Sequence, residues 1–592
     1  MRRVSAKESQ MRKLYMLLAA SILSAGCAVD SASEDEGPSP DAENASIPAP
    51  GKADSTLTQC QVDAALLFAN DPSADVATLR ASGVHSLAAK RIVQARGGVE
   101  GVAFGSLEEL DAVPYVGPAA LTKLASKGAA FCPTGDYPSS QVIMSPQPTR
   151  DTSHLARAVE LIDAAQESID IAMYSFSDAQ ILDALGRARG RGVAVRFLFE
   201  PARAEAKAPA GTKSAQVEAK GIDVRFINKI MHHKFMIVDG PRSSAFAALG
   251  ATLMTGSGNW SSSAGTRYDE NTVVLRGAPE LALAFQKEFN YLWENSRDFV
   301  SSTPREAEKS LPISAWMGLD AAETQAAFTS DNFKLFSSAL GPGFSVVPQK
   351  NTVADVLVGL IGEAKQSIWI ASGHLRSRPV TEALLAAKNA NPSLDVRVYV
   401  DGQEYVSAST SALEKKDLDA CVVAAGDNAT KKQACYDKDF HWSYPVAKAG
   451  VPLRFKHYAY RWHHSYAPQM HHKYLIVDGA VLASGSYNLS DNAEHETMEN
   501  MVVYRGAAFQ GLVGDFVENF ESIWQTGEAA GAYAEILDEV QNGTGPIPLV
   551  YDSMALNHEQ VTTLKAAIRE ACPEVDSQDY REHPEKHMTC PR

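Results

Sequence analysis

The sequence predicts an α/β protein built as two copies of one unit, and three observations predict it. The pattern His-x-Lys-x-x-x-x-Asp occurs twice, from His232 to Asp239 and from His471 to Asp478. Each copy follows a Met (Met231, Met470), precedes a Gly (Gly240, Gly479), and is trailed by Gly-Ser-x-Asn, at Gly256 to Asn259 and Gly485 to Asn488. A Glu-Asn pair then recurs in register, Glu270 standing thirteen residues after Ser257 and Glu499 thirteen after Ser486. A whole polar constellation duplicated at matched spacing is a signal about fold and about chemistry.

The apolar runs at 235–238 and 474–477 close on Asp-Gly and read as buried strands that end in a turn. Strand side chains alternate faces, so His232 and Lys234 share one face, as do His471 and Lys473, Ser257 and Asn259, and Ser486 and Asn488. His233 and His472 point the other way and are the weaker candidates. Two imidazoles, two ammonium groups and two amides suit an anionic centre that is attacked on one side and protonated on the other, and a phosphodiester fits. Asp239 and Asp478, at the far ends of their strands, read as structural, holding the turn or an ion pair, with a catalytic role as the alternative. Ser257 and Ser486 read as phosphate contacts rather than plain turn formers. For His85, His154, His374, His441 and His558 the default is a satisfied polar residue.

On these motifs the chain resembles the phospholipase D superfamily, from about residue 142 to about residue 524. Met144-Ser145-Pro146-Gln147 and Val347-Pro348-Gln349 open the two repeats. Each opening leads into an amphipathic helix, an apolar strand (169–176; 368–372), a second helix and a second strand (193–200; 396–401). The resemblance implies two α/β/α sandwich domains, at 139–298 and 344–526, with the active site at their interface, a connector at 299–343 and a tail at 527–592. It also implies a two-step displacement through a phosphohistidine. His232 is the expected nucleophile and His471 the acid. Lys234, Lys473, Asn259 and Asn488 would hold the phosphoryl oxygens, and Glu270 and Glu499 would accept the proton of the far ring nitrogen. That scheme needs no metal or other cofactor. Both motifs lie in one chain, which suits a monomer.

Composition narrows the partners. The chain has 592 residues, 45% hydrophobic and 21% charged, ordinary for a soluble globular protein, and a formal net charge of −16 argues against general nucleic-acid binding. Arg2, Arg3, Lys7, Arg12 and Lys13 precede an apolar run at 14–23 that ends in Ser24-Ala25-Gly26-Cys27, the order of an export signal. Ala-Gly-Cys resembles a bacterial lipobox over a signal segment at 1–27, which implies cleavage that leaves a lipidated Cys27 as the mature N-terminus and a membrane-anchored or secreted product. Ser24 stands where an aliphatic residue is usual, so simple cleavage is the alternative. An acidic Ser/Pro-rich tether spans 28–56. Apart from Cys27, six cysteines fall into three sequence-local pairs, Cys60 with Cys132, Cys421 with Cys435 and Cys572 with Cys590, as expected of disulfides in an exported protein.

Residues 57–133 form the expected small all-α domain. Its segment Leu110 to Leu121 resembles a helix-hairpin-helix turn, with Tyr115 where a glycine is usual, and Ser82 to Lys90 is a weaker copy. Such turns bind DNA phosphates, but six Lys or Arg against seven Asp or Glu between Leu57 and Cys132 lack a DNA binder's charge. Within the second repeat an insertion begins at Gly402 and closes on His457, Tyr458, Tyr460, Arg461, Trp462, His463, His464 and Tyr466. This close reads as a substrate rim or as a loop packed on its own aromatics. The expected function is an exported phospholipid phosphodiesterase acting at a membrane surface, with an exported nuclease as the alternative.

Overall fold

The computed structural model describes residues 57–96, 104–134, 137–242, 244–300, 319 and 322–592. The leader, Cys27 and the acidic tether lie outside the described residues. The protein is mixed α/β, and among the described residues two eight-stranded sheets dominate.

The first sheet holds β1 (Ser139–Ser145), β2 (Ser168–Met173), β3 (Ala194–Phe199), β4 (Asp223–Phe226), β5 (Lys234–Val238), β6 (Thr252–Gly256), β7 (Glu270–Arg276) and β8 (Arg297–Asp298). The second holds β9 (Thr324–Phe328), β10 (Ser367–Ser372), β11 (Asp395–Asp401), β12 (Leu453–Ala459), β13 (Lys473–Val477), β14 (Val481–Gly485), β15 (Asn500–Tyr504) and β16 (Val550–Asn557). The spatial orders are β1-β7-β6-β5-β2-β3-β4-β8 and β9-β15-β14-β13-β10-β11-β12-β16. They are one order used twice.

That identity corrects two expected boundaries. β9 comes from the segment read as a connector, yet it pairs antiparallel with β15 as β1 pairs with β7. β16 comes from the segment read as a tail, yet it pairs antiparallel with β12 as β8 does with β4. β9 and β16 pair the backbone edges that β15 and β12 would otherwise leave open. The second repeat therefore begins before residue 344 and ends after residue 526. The insertion is also more ordered than a loop, with helices Ala408–Ala425, Ala429–Tyr436 and Ser443–Lys448.

The helices His154–Ala164 and Ala179–Gly190 cover the outer face of the first sheet, and Ser153 and Asp178 cap them through Leu155 N–H and Ile181 N–H. The helices Thr352–Glu363 and Arg378–Ala390 do the same for the second. Between the sheets lies a shared core in which Phe235, Phe285 and Phe289 of the first repeat meet the same cluster as Tyr474, Phe516 and Phe520 of the second. Full burial of each such ring is worth about 1.5–3 kcal/mol, so the interface between repeats is held like a domain interior. The N-terminal helices pack on the first repeat through Phe68 and Phe246, whose rings are 5.4 Å apart. The three expected disulfides, Cys60–Cys132, Cys421–Cys435 and Cys572–Cys590, are formed.

Candidate active site

Two sharp backbone approaches build the floor of the site. A Cβ at Gly256 would lie 2.3 Å from the Asn271 carbonyl oxygen, and one at Gly485 would lie 2.3 Å from that of Asn500. Only glycine fits at these places. The following serines then dock on the neighbouring strand: Ser257 N–H donates to Asn271 O and Ser486 N–H to Asn500 O, both at 3.0 Å. Their hydroxyls accept from the same two residues, Asn271 N–H at 2.9 Å and Asn500 N–H at 3.0 Å.

The candidate groups of the two repeats are exchanged across the interface. His232 Nδ1 lies 2.6 Å from Glu499 Oε1, and His471 Nδ1 lies 2.8 Å from Glu270 Oε1. The backbone crosses in the same sense, His232 N–H donating to Met498 O and His471 N–H to Asp269 O, both at 3.0 Å. Behind them the second histidines cross too. Asn500 Nδ2 contacts His233 Nδ1 at 3.0 Å, and Asn271 Nδ2 contacts His472 Nδ1 at 3.1 Å. Each imidazole thus has one edge fixed by the other repeat. With Nδ1 engaged, Nε2 of His232 and of His471 is the edge left for a reaction.

Both lysines are buried with the histidines. Lys234 Nζ donates to His232 O at 2.6 Å and Lys473 Nζ to His471 O at 2.7 Å. Burial lowers Lys234 to about 7 and Lys473 to about 8. Burial, with the two ammonium groups close by, pushes His232 and His471 well below the usual histidine range. Burial also raises Glu270 and Glu499 to about 7 against the pull of the lysines. The Oδ1 atoms of Asn259 and Asn488 are buried without a hydrogen-bond partner. Ammonium groups from both repeats thus lie close to the two imidazoles, an arrangement that fits a tetrahedral anion.

A sequence model of the family described as "Cardiolipin synthase, PLD-like domain" matches residues 158–293 and 357–524, together just over half of the chain. The chain belongs to this phospholipase D-like family. It is 30% identical over 142 residues to the mitochondrial cardiolipin hydrolase of Chlamydomonas reinhardtii, an alignment covering 24% of this chain and 57% of that protein. Against the protein of the same name from Danio rerio the figures are 31% over 154 residues, 26% and 62%. The chain thus spans about 60% of the length of these curated relatives. Among solved structures it is similar to the phospholipase D family member Nuc from Salmonella typhimurium, at 30% identity, 28% coverage of this chain, 99% of that one and a TM-score of 0.23.

Within the phospholipase D-like site the structure brings His232, Lys234 and Glu270 together with His471, Lys473 and Glu499, while the Oδ1 atoms of Asn259 and Asn488, in the segments that follow β6 and β14, are buried. It gives the other expected residues different work. Asp239 accepts N–H groups from Gln166, Glu167 and Ser168, and Asp478 from Lys365, Gln366 and Ser367. Both take a left-handed backbone, φ 50° and 54°, so they hold the turn at the strand end away from the histidines. Ser257 and Ser486 are wholly buried and spent on scaffold hydrogen bonds, which corrects their reading as phosphate contacts. Of the two readings of the aromatic close, packing holds for two of its aromatics. Tyr458 and Tyr460 are buried, the latter donating to Asp576 of the C-terminal segment, and Trp462 alone of the three is substantially exposed. All five background histidines have partners, including His154 Nε2 with Asn259 O at 2.8 Å and His374 Nδ1 with Glu404 Oε1 at 3.0 Å. The sequence reading assigned no part to Asn271 and Asn500, although their place after each glutamate was the available signal. Tyr174, whose ring meets His232 edge-on at 4.4 Å, carried no signal at all.

Proposed function

We propose that this chain is a phosphodiester hydrolase acting on phospholipid, with His232 as nucleophile and His471 as acid and then base. The crossed pairing of each histidine with the other repeat's glutamate carries the reading. His232 Nε2 attacks phosphorus to form a P–N bond while the bond to the leaving oxygen breaks, and His471 Nε2–H gives that oxygen its proton. His471 Nε2 then takes a proton from water, the oxygen attacks phosphorus, and the P–N bond breaks. Lys234, Lys473 and the amides of Asn259 and Asn488 stabilise the charge gathered on the oxygens.

The surroundings of the glutamates support this order. Glu499 accepts from Ser486 Oγ at 2.7 Å besides meeting His232, and Thr497 Oγ1 lies 3.1 Å from it while also donating to Ala493 O at 2.9 Å. At the place matching Thr497 the first repeat has Tyr268. Ser257 also lies beside Glu270 and lowers its pKa, but its hydroxyl donates to Asn271 O at 3.4 Å. Glu499 is the better held carboxylate, and it fixes the Nδ1–H tautomer that leaves a lone pair on His232 Nε2.

The relatives named as cardiolipin hydrolases favour a lipid substrate. Nuclease activity is the second reading, favoured by the two helical hairpins whose turns pass through positive φ at Gly83 (87°) and Tyr115 (71°). Vesicles of phosphatidylcholine or cardiolipin and single- or double-stranded DNA, assayed side by side in excess EDTA, test both. We expect lipid cleavage to persist, because the lysines supply the positive charge at phosphorus. Cleavage of DNA alone would transfer the assignment to the nuclease, and complete loss in EDTA restored by one divalent ion would sink the scheme.

A further inference from the structure

The second repeat carries a third histidine–carboxylate dyad that the first repeat lacks. β10 and β13 pair antiparallel with Ser372 opposite Lys473. The ladder continues one step, Gly373 N–H donating to His472 O at 3.1 Å. His374 follows directly on that strand end, within electrostatic reach of the His471 imidazole. In the first repeat the equivalent register, Met173 opposite Lys234, puts Ser175 at the place of His374.

His374 is built like the two reacting histidines. Its Nδ1 lies 3.0 Å from Oε1 of Glu404, a carboxylate with no exposed surface. Arg376 grips the same carboxylate through Nε at 3.0 Å and Nη2 at 2.7 Å, and its Nη1 reaches Asp439 at 3.5 Å. Burial works against the charge of Glu404, but the contacts from His374 and Arg376 prevail and bring it to about 2. The His374 side chain remains 24% exposed, with only its Nδ1 edge engaged by Glu404, and it lies within electrostatic reach of the His471 imidazole. The place matching Glu404 in the first repeat is Arg203, whose guanidinium turns to Asn228 O.

We propose that His374 is a third substrate-contacting histidine, whose Nε2–H meets a non-bridging oxygen of the phosphodiester on the His471 side. This rests on the hydrolase reading above. Glu404 engages the ring at Nδ1, which leaves the Nε2 edge for the arriving anion. The leaving-group half of the site thereby gains a donor, and the nucleophile half, with a small serine at that place, keeps the approach to His232 clear.

Two substitutions separate this role from a structural one, because an Asn amide reproduces the Nδ1 edge of His and a Gln amide the Nε2 edge. Binding of inorganic phosphate to the full chain is measured by calorimetry for wild type, His374→Asn and His374→Gln. We expect His374→Asn to weaken binding about tenfold, the loss of one charge-assisted hydrogen bond, and His374→Gln to stay within about threefold of wild type. Wild-type affinity in His374→Asn, or no recovery in His374→Gln, overturns the proposal. A crystal structure of wild type with tungstate decides independently of how the variants fold. An oxygen within hydrogen-bond distance of His374 Nε2 is expected, and an oxyanion held by both lysines with none near His374 refutes it. Turnover of bis(p-nitrophenyl) phosphate by wild type, and its loss in His471→Asn, tests the parent reading separately, since phosphate binding requires no turnover.

Discussion

The two half-sites share a scaffold and differ in its trimmings. In both, a glycine lets one strand close on the next, an aspartate ties the strand end, a lysine folds back on its own histidine carbonyl, and a glutamate from the other repeat fixes Nδ1. The differences gather beside the reacting edges. The first half-site has Tyr174 and Ser175 where the second has Gly373 and His374, and Glu499, partner of His232, has the Thr497 hydroxyl 3.1 Å away where Glu270, partner of His471, has Tyr268 nearby in sequence. Duplication gives the two half-sites one scaffold, and on the proposed mechanism the departures from duplication are what would decide which imidazole attacks and which protonates.

The largest expected effect breaks the pair directly. His232→Ala and His471→Ala should each lower turnover by about 10³-fold or more, since each removes a group that reacts in both steps. They should differ in what accumulates. With a p-nitrophenyl diester, whose leaving group needs no acid, His471→Ala should still form the phosphoryl adduct and then stall without a base for water. Intact mass measured after rapid quenching checks this. An adduct in His232→Ala and none in His471→Ala would reverse the two roles.

A smaller effect lies in the pH profile. A lysine whose pKa is lowered keeps its charge below that pKa and loses it as pH rises through it. Lys234, at about 7, and Lys473, at about 8, should therefore bring kcat/KM for a soluble diester down on the basic side between those values. A bound phosphodiester favours the ammonium form, so the basic limb of kcat should lie at higher pH than that of kcat/KM. The acid limb should fall below the ordinary histidine range, because burial holds His232 neutral. A kcat/KM that stays flat up to about pH 10, the range of a free lysine, would show that the lysines are not desolvated as the structure has them.

Much of this site was legible before any coordinates, for a physical reason. Period-two alternation fixes which side chains share a face, so the grouping of His232 with Lys234 and of His471 with Lys473 needs only spacing. Spacing within one strand says nothing about which partner arrives from 201 or 267 residues away, and so the exchange of Glu270 and Glu499 between repeats was invisible. The serines misled because alternation gives a face and not a partner, and a hydroxyl that faces the site can still be consumed by the neighbouring strand. The edge strands β9 and β16 were missed because they lie outside the duplicated motifs. β16 carries partly exposed residues in its first half and forms only once β12 offers an edge. For Tyr458 and Tyr460 the rim reading stayed open because the sequence does not show that the C-terminal segment covers them.

The smallest expected effect sharpens the comparison where chemistry is absent. His233 and His472 are both wholly buried and each meets an asparagine of the opposite repeat, but their far edges differ. His233 Nε2 meets Glu288 Oε1 at 3.1 Å, and the other oxygen of that carboxylate accepts from Ser330 at 2.6 Å. His472 Nε2 is buried with no partner. Removing His233 strips a buried carboxylate of a donor and leaves Asn500 Nδ2 with only Ser486 Oγ at 3.3 Å, whereas removing His472 strands the Asn271 amide and also deletes an unsatisfied nitrogen. The penalty for a buried group left unpaired is about 1–3 kcal/mol, and it is larger when the group is charged. His233→Ala should therefore lose more unfolding free energy than His472→Ala, by about 1–2 kcal/mol, read from urea midpoints at neutral pH. Both variants should retain far more turnover than His232→Ala or His471→Ala, because neither ring reaches the phosphate face. Equal stability losses would mean that Glu288 finds another donor when His233 is gone. Loss of turnover as complete as in His232→Ala would mean that the crossed asparagine contacts hold the reacting histidines in place, and the division between a reacting face and a supporting face would have to be redrawn.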